Sequence, residues 1–136
     1  MKVSTSNFRT LLAAMTASMV IGFFAQAANL SDNDKRFLAG YEKVRAALAA
    51  DDLAAAKISA SDLREEGAAL AKSNSLKEAR AAFETLSDKA KQLAAGQSGY
   101  FVVSCPMLKK DWVQTSDKIA NPYYGREMAT CGEIKK

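Results

Sequence analysis

The sequence contains no histidine, an absence that removes the side chain most often used as general base and as metal ligand. Cysteine and proline occur twice each and tryptophan once in 136 residues. Two cysteines without histidine leave the tetrahedral shell of a zinc site half empty, which disfavours zinc. There is no Gly-x-Ser-x-Gly elbow, no Gly-rich phosphate loop and no Cys-x-x-Cys pair, the arrangements that serine hydrolysis, nucleotide chemistry and thiol catalysis draw on. The acid pairs Asp51-Asp52 and Glu65-Glu66 fall where helix caps and solvated faces account for them. The chain is therefore not expected to be an enzyme. A surplus of charge of one sign is missing as well: 19 basic residues stand against 15 acidic ones, interleaved as in Asp34-Lys35-Arg36 and Arg64-Glu65-Glu66. Such mixing describes solvated helix faces and gives no phosphate-binding stripe, so no nucleic-acid partner is expected.

Long apolar runs are scarce too, and the one present lies at the N-terminus. Lys2 and Arg9 precede an uncharged run from Leu11 to Phe24, followed by Ala25-Gln26-Ala27, the small-x-small pattern read by a signal peptidase. The run of 14 residues is shorter than the roughly 20 needed to cross a bilayer as a helix. Residues 1–27 are thus expected to be an export signal cleaved after Ala27, with no membrane insertion after its removal. No cysteine precedes Cys105, so lipid attachment at the cleavage point is not expected. Residues 28–136 are enough for one domain with one core, and are read as a single helical domain.

What the chain has in quantity is alanine-rich amphipathic sequence. Ser31-Asp32-Asn33-Asp34 offers N-caps to a stripe of Phe37, Leu38, Tyr41, Val44 and Leu48, predicting a helix over 32–49. Asp51-Asp52 caps a second, over 52–72, whose apolar row of Leu53, Ala56, Ala60 and Leu63 weakens at Gly67, because glycine costs about 1 kcal/mol against alanine in a helix interior. Ser75 and Glu78 fit a capping box for a third over 76–95, with Leu76, Ala79, Phe83, Leu86, Ala90 and Leu93 in line and Gly96 placed for a left-handed C-cap. These elements predict an all-α fold, an up-down three-helix bundle with an irregular C-terminal cap over 100–136 and at most one short strand pair. The pair would join Tyr100–Val103 to the tail around Met128–Ile134 and so bring Cys105 and Cys131 together. Lys109 to Ile119 is expected to form a helical turn or two around Trp112.

Both cysteines, both prolines, the tryptophan and two of the four tyrosines crowd into residues 105–132. The pattern Cys105-Pro106-Met107, Trp112-x-Gln114, Ile119-x-Asn121-Pro122-Tyr123-Tyr124-Gly125, Met128, Cys131-Gly132 resembles the signature of the domain of unknown function 3347 family. Upstream, Tyr41, Leu48, Asp51-Asp52-Leu53, Ala79-Arg80-x-x-Phe83 and Leu86-Ser87 are similar to that family's helical portion, so the resemblance covers nearly the whole mature chain. The family occurs as small exported bacterial proteins and as a C-terminal extension of periplasmic adaptor subunits of copper and silver efflux pumps. The resemblance implies a periplasmic helical domain associated with soft-metal handling, with such an adaptor subunit as partner. Many members place a histidine before the Cys-Pro-Met; here that position is Ser104.

Two uses of the sulfur atoms compete. Cys105, Met107, Met128 and Cys131 form a candidate site for Cu(I) or Ag(I), since thiolate and thioether donors favour soft monovalent ions, and Cys105 and Met107 have the spacing of one face of an extended strand. Alternatively, Cys105 and Cys131 pair in a disulfide, the usual state of a lone cysteine pair in an exported protein, closing a loop whose entropy is worth roughly 3.5 kcal/mol. A reversible pair would serve both uses. Trp112, Asn121, Tyr123, Tyr124 and Gly125 likewise have two readings, an exposed interaction surface or a plug for the open end of the helical core. The expected function is soft-metal binding or delivery, with a non-metal interaction module of the cell envelope carrying a structural disulfide as the alternative.

Overall fold

The computed structural model describes residues 29–135; the expected export signal and the expected cleavage point after Ala27 lie outside them. Helix α1 spans Asp32–Ala49 and opens on a reciprocal cap. Ser31 Oγ accepts from the Asp34 amide at 3.2 Å while the Ser31 amide donates back to the Asp34 carboxylate at 3.2 Å. Helix α2 (Leu53–Ser61) is capped by Asp52, whose Oδ1 accepts from the Ala55 amide at 2.9 Å. Helix α4 (Leu76–Ala94) starts at Ser75, with Glu78 reaching back to the Asn74 amide at 2.8 Å, and ends before Gly96 at φ +72°. These boundaries follow the apolar stripes and caps closely.

The expected continuous helix over 52–72 is two pieces, α2 and the single turn α3 (Ala68–Ala71), separated by turns over 62–67. Arg64 takes a left-handed φ of +56°, and Gly67 packs so close to α2 that a Cβ there would stand 1.9 Å from the Ala60 carbonyl oxygen. The chain thus folds back on α2 at the point where the apolar row falters.

The C-terminal third departs from the all-α expectation. Strands β1 (Phe101–Cys105), β2 (Lys110–Gln114) and β3 (Glu133–Ile134) form an antiparallel sheet in the order β2-β1-β3, so the fold is a helical layer joined to a three-stranded sheet. The pairing of β1 with the tail is as expected, with Val103 opposite Ile134 and Ser104 opposite Glu133. The helical turn expected around Trp112 is instead β2, paired to β1 from Phe101↔Gln114 to Cys105↔Lys110 across the four-residue turn 106–109. Trp112, Val113 and Gln114 are buried in succession. The strand is covered on both faces, and its sequence shows no alternation of polar and apolar residues for that reason.

One core joins the two layers. Phe37, Tyr41 and Phe83 from α1 and α4 stack in a row, Phe83 meets Tyr123 edge-on at 5.5 Å, and Tyr123 meets Trp112 at 6.3 Å. Such aromatic pairs contribute about 1 kcal/mol each beyond their buried area. Among the described residues no helix is long and apolar enough to cross a membrane.

Candidate functional site: the thiol pair and the segment that seats it

The C-terminal segment is seated on the helices by buried polar contacts. The Val113 amide donates to the Tyr41 hydroxyl at 3.1 Å, Tyr41 lies 3.1 Å from Ser87 Oγ, and Ser87 donates to the Asp111 carbonyl at 3.0 Å. The Tyr123 hydroxyl donates to the same carbonyl at 3.3 Å. Burial pushes the hydroxyls of Tyr41 and Tyr123 well above the ordinary tyrosine range, so both stay neutral donors. At the other end Arg80 donates to the carbonyls of Pro122 (2.9 Å) and Leu48 (3.0 Å) and to Asp51 Oδ1 (2.5 Å). Asp51 Oδ2 in turn accepts from the Arg126 amide at 3.1 Å. That amide, followed by Arg80, holds the Asp51 carboxyl below the usual carboxylate range. Gly125, at φ +59°, lies against this ion pair: a Cβ there would come within 1.9 Å of Asp51 Oδ1.

Asn121 is wholly buried, and each of its side-chain polar atoms has a partner. Its Oδ1 accepts from the amides of Tyr123 (2.9 Å) and Tyr124 (3.3 Å), while Nδ2 donates to the Cys131 carbonyl at 3.2 Å. Its own amide donates to the Ala129 carbonyl at 2.9 Å. Gln114 does the same for the preceding loop, accepting from Trp112 Nε1 at 2.9 Å and donating to the carbonyls of Ser116 and Lys118. The motif Trp112-x-Gln114 and the motif Asn121-Pro122-Tyr123 are therefore loop-forming devices in this fold.

These devices deliver Cys131 to Cys105. Cys105, 0% exposed, ends β1 inside the core, and Cys131 is half-buried in the loop between a 3-10 turn (Gly125–Met128) and β3. Both are free thiols, the β1–β3 register sets Cys105 beside the Cys131-Gly132 step, and the neighbouring Cys105 thiol raises the Cys131 thiol above its ordinary pKa. Gly132 makes the approach feasible: at φ +156°, a Cβ there would stand 2.7 Å from Val103 Cγ1 and 2.9 Å from the Trp112 ring.

The methionines are placed differently. The strand stops at Cys105, so the alternation expected to set Met107 beside it does not extend that far; Met107 sits in the hairpin turn, 77% exposed. Met128 is half-buried at the end of the 3-10 turn, and its carbonyl accepts from the Cys131 amide at 3.0 Å. Among the described residues no cluster of three or more His, Cys, Asp or Glu side chains could hold a metal ion. A metal at this place would take the two thiol sulfurs as its ligands, with Met128 as the half-buried thioether in the same turn.

Of the residues singled out as an interaction surface, Trp112, Asn121 and Gly125 are buried and Tyr123 is half-buried; Tyr124 alone is exposed, at 41%. Sequence reasoning did not single out the roles of Asp51, Arg80, Gln114 and Ser87 in seating the segment. One signal was present in Asp51-Asp52: a single carboxylate suffices for a cap, which left the other free for a second task. Comparison with protein-family models, with curated proteins and with solved structures finds no match for this chain.

Proposed function

We propose that the protein is an exported, periplasmic domain that binds a soft monovalent metal, Cu(I) or Ag(I), through Cys105 and Cys131 and passes it within a metal-efflux system. The reading is supported by the strand register that sets the two free thiols side by side at the junction of β1 and the C-terminal loop, and by the resemblance to a family that extends efflux adaptor subunits. Metal binding replaces both thiol protons, so the raised pKa of Cys131 makes affinity rise with pH. The hydrophobic setting of Cys105 disfavours hard, hydrated ions and suits a weakly hydrated soft one. Met107 lies outside this pair, and its exposure on the hairpin turn suits a first contact for incoming metal.

Titration of the reduced mature protein with Cu(I) against a competing chelator tests the reading. Sub-micromolar binding is expected, abolished in Cys131→Ser and retained in Met107→Leu. The oxidised protein is expected to bind no metal through its sulfurs. Absence of saturable binding by the reduced protein overturns the reading and leaves an interaction module, for which Tyr124 is the exposed aromatic contact.

A further inference from the structure

The two thiols differ in access in a way that assigns them different chemistry. Cys105 lies at the end of the central strand with no exposed surface, packed in the core that also contains Val103 and Trp112. Cys131 is half-buried in a loop held by the Met128 carbonyl on one side and by the two-residue strand β3 on the other. Every other position in the chain lacks a cysteine, so neither thiol has a competing partner within the molecule.

We propose that Cys131 is a thiol-modification site, the sulfur through which the protein exchanges with small aliphatic disulfides of the glutathione type, and that Cys105 is the resolving thiol. In the first step the Cys131 thiolate attacks one sulfur of the small disulfide. The protein–small-thiol mixed disulfide forms and one small thiolate leaves, taking up the proton that Cys131 gave to solvent. In the second step Cys105, set beside the Cys131-Gly132 step by the pairing of Ser104 with Glu133, loses its proton and attacks the Cys131 sulfur of the mixed disulfide, and the second small thiol departs. Two protein thiols are oxidised to one disulfide and one small disulfide is reduced to two small thiols. The order follows from access: a small disulfide reaches Cys131 from solvent, whereas only Cys131 itself reaches Cys105. The product ties the β3 loop to β1 and removes both metal-binding thiolates. Modification thereby sets whether the dithiol is available, and the exchange stands whether or not the reduced pair binds metal.

Incubation of the folded, reduced protein with oxidised glutathione, quenched with acid and read by intact mass and peptide mapping, tests the assignment. Wild type is expected to pass through one glutathione adduct on Cys131 and end as the intramolecular disulfide without adduct. Cys105→Ser and, as a variant that keeps the core apolar, Cys105→Ala are expected to accumulate the adduct on Cys131. Cys131→Ser is expected to take no adduct until denaturant is added. Adduct formation on Cys105 of folded Cys131→Ser at the rate seen for Cys131, or wild type retaining both thiols, overturns the proposal. The Cu(I) titration of the reduced protein is a separate readout, so failure of the metal reading and failure of the exchange are distinguishable.

Discussion

Asn121 shows how much of the C-terminal segment rests on one side chain. Its amide group accepts two backbone amides and donates to the carbonyl of Cys131, ten residues on, with no surface open to water. Asn121→Ala leaves these buried partners unsatisfied and is expected to destabilise the fold by about 2 kcal/mol, measured by urea denaturation. A free-thiol assay on the same variant is expected to show faster modification of Cys105, because the loop covering it is no longer pinned. A loss below about 0.5 kcal/mol, the range of an ordinary surface substitution, would mean that the loop is seated by other contacts. At this scale the sequence was only partly legible. Asn-Pro announces a turn, yet nothing in the local pattern indicates that the asparagine side chain spans from Tyr123 to Cys131, since that contact exists only once the loop has closed.

Elements were read well where one face decided the outcome. Helices α1 and α4 match their expected spans because a single apolar stripe and a side-chain cap both point to the same structure. The middle helix was misread because a glycine inside an apolar row looks like a weak helix position, whereas here it is a point of close backbone approach. The two views predict opposite signs for Gly67→Ala. In a continuous helix the change would stabilise by about 1 kcal/mol. Against the Ala60 carbonyl it is expected to destabilise by about 2 kcal/mol, as overpacking does, with thermal denaturation as the check. Strand β2 was missed for a related reason. Periodicity reports one buried face, and Lys110–Gln114 has helices on one side and the C-terminal loop on the other, so its sequence lacks the alternation that identifies a strand.

At the scale of the whole molecule, two carboxylates link the layers. Asp51 accepts from the Arg126 amide and from Arg80; Asp111 lies 3.9 Å from Lys91 Nζ on α4 and accepts from Lys135 Nζ at 2.8 Å, and the Lys135 contact, ahead of its other partners, keeps its carboxyl below the usual range. In both cases the unfolded chain takes up a proton at higher pH than the folded one. Their stabilisation is complete above the unfolded carboxylate pKa of about 4 and disappears as pH falls through the lower folded values. Urea midpoints are therefore expected to drop on acidification below about pH 4, and to drop less steeply in the double variant Asp51→Asn/Asp111→Asn. An unchanged slope would assign acid sensitivity to other carboxylates. The fold accounts for why the tail depends on the helical layer: Tyr41, Arg80 and Ser87 on the helices and Asp51 in the turn after α1 are the partners of Asp111, Val113, Pro122 and Arg126 in the tail.

The lone indole of the described chain occupies the seam between these layers, edge-on to Tyr123 and so near Gly132, one residue from Cys131, that a Cβ there would stand 2.9 Å from the ring. It is a built-in optical reporter. Because every other large aromatic is phenylalanine or tyrosine, emission excited at the red edge of absorption comes from this one site, and lifting of the tail registers as a spectral shift without any attached label.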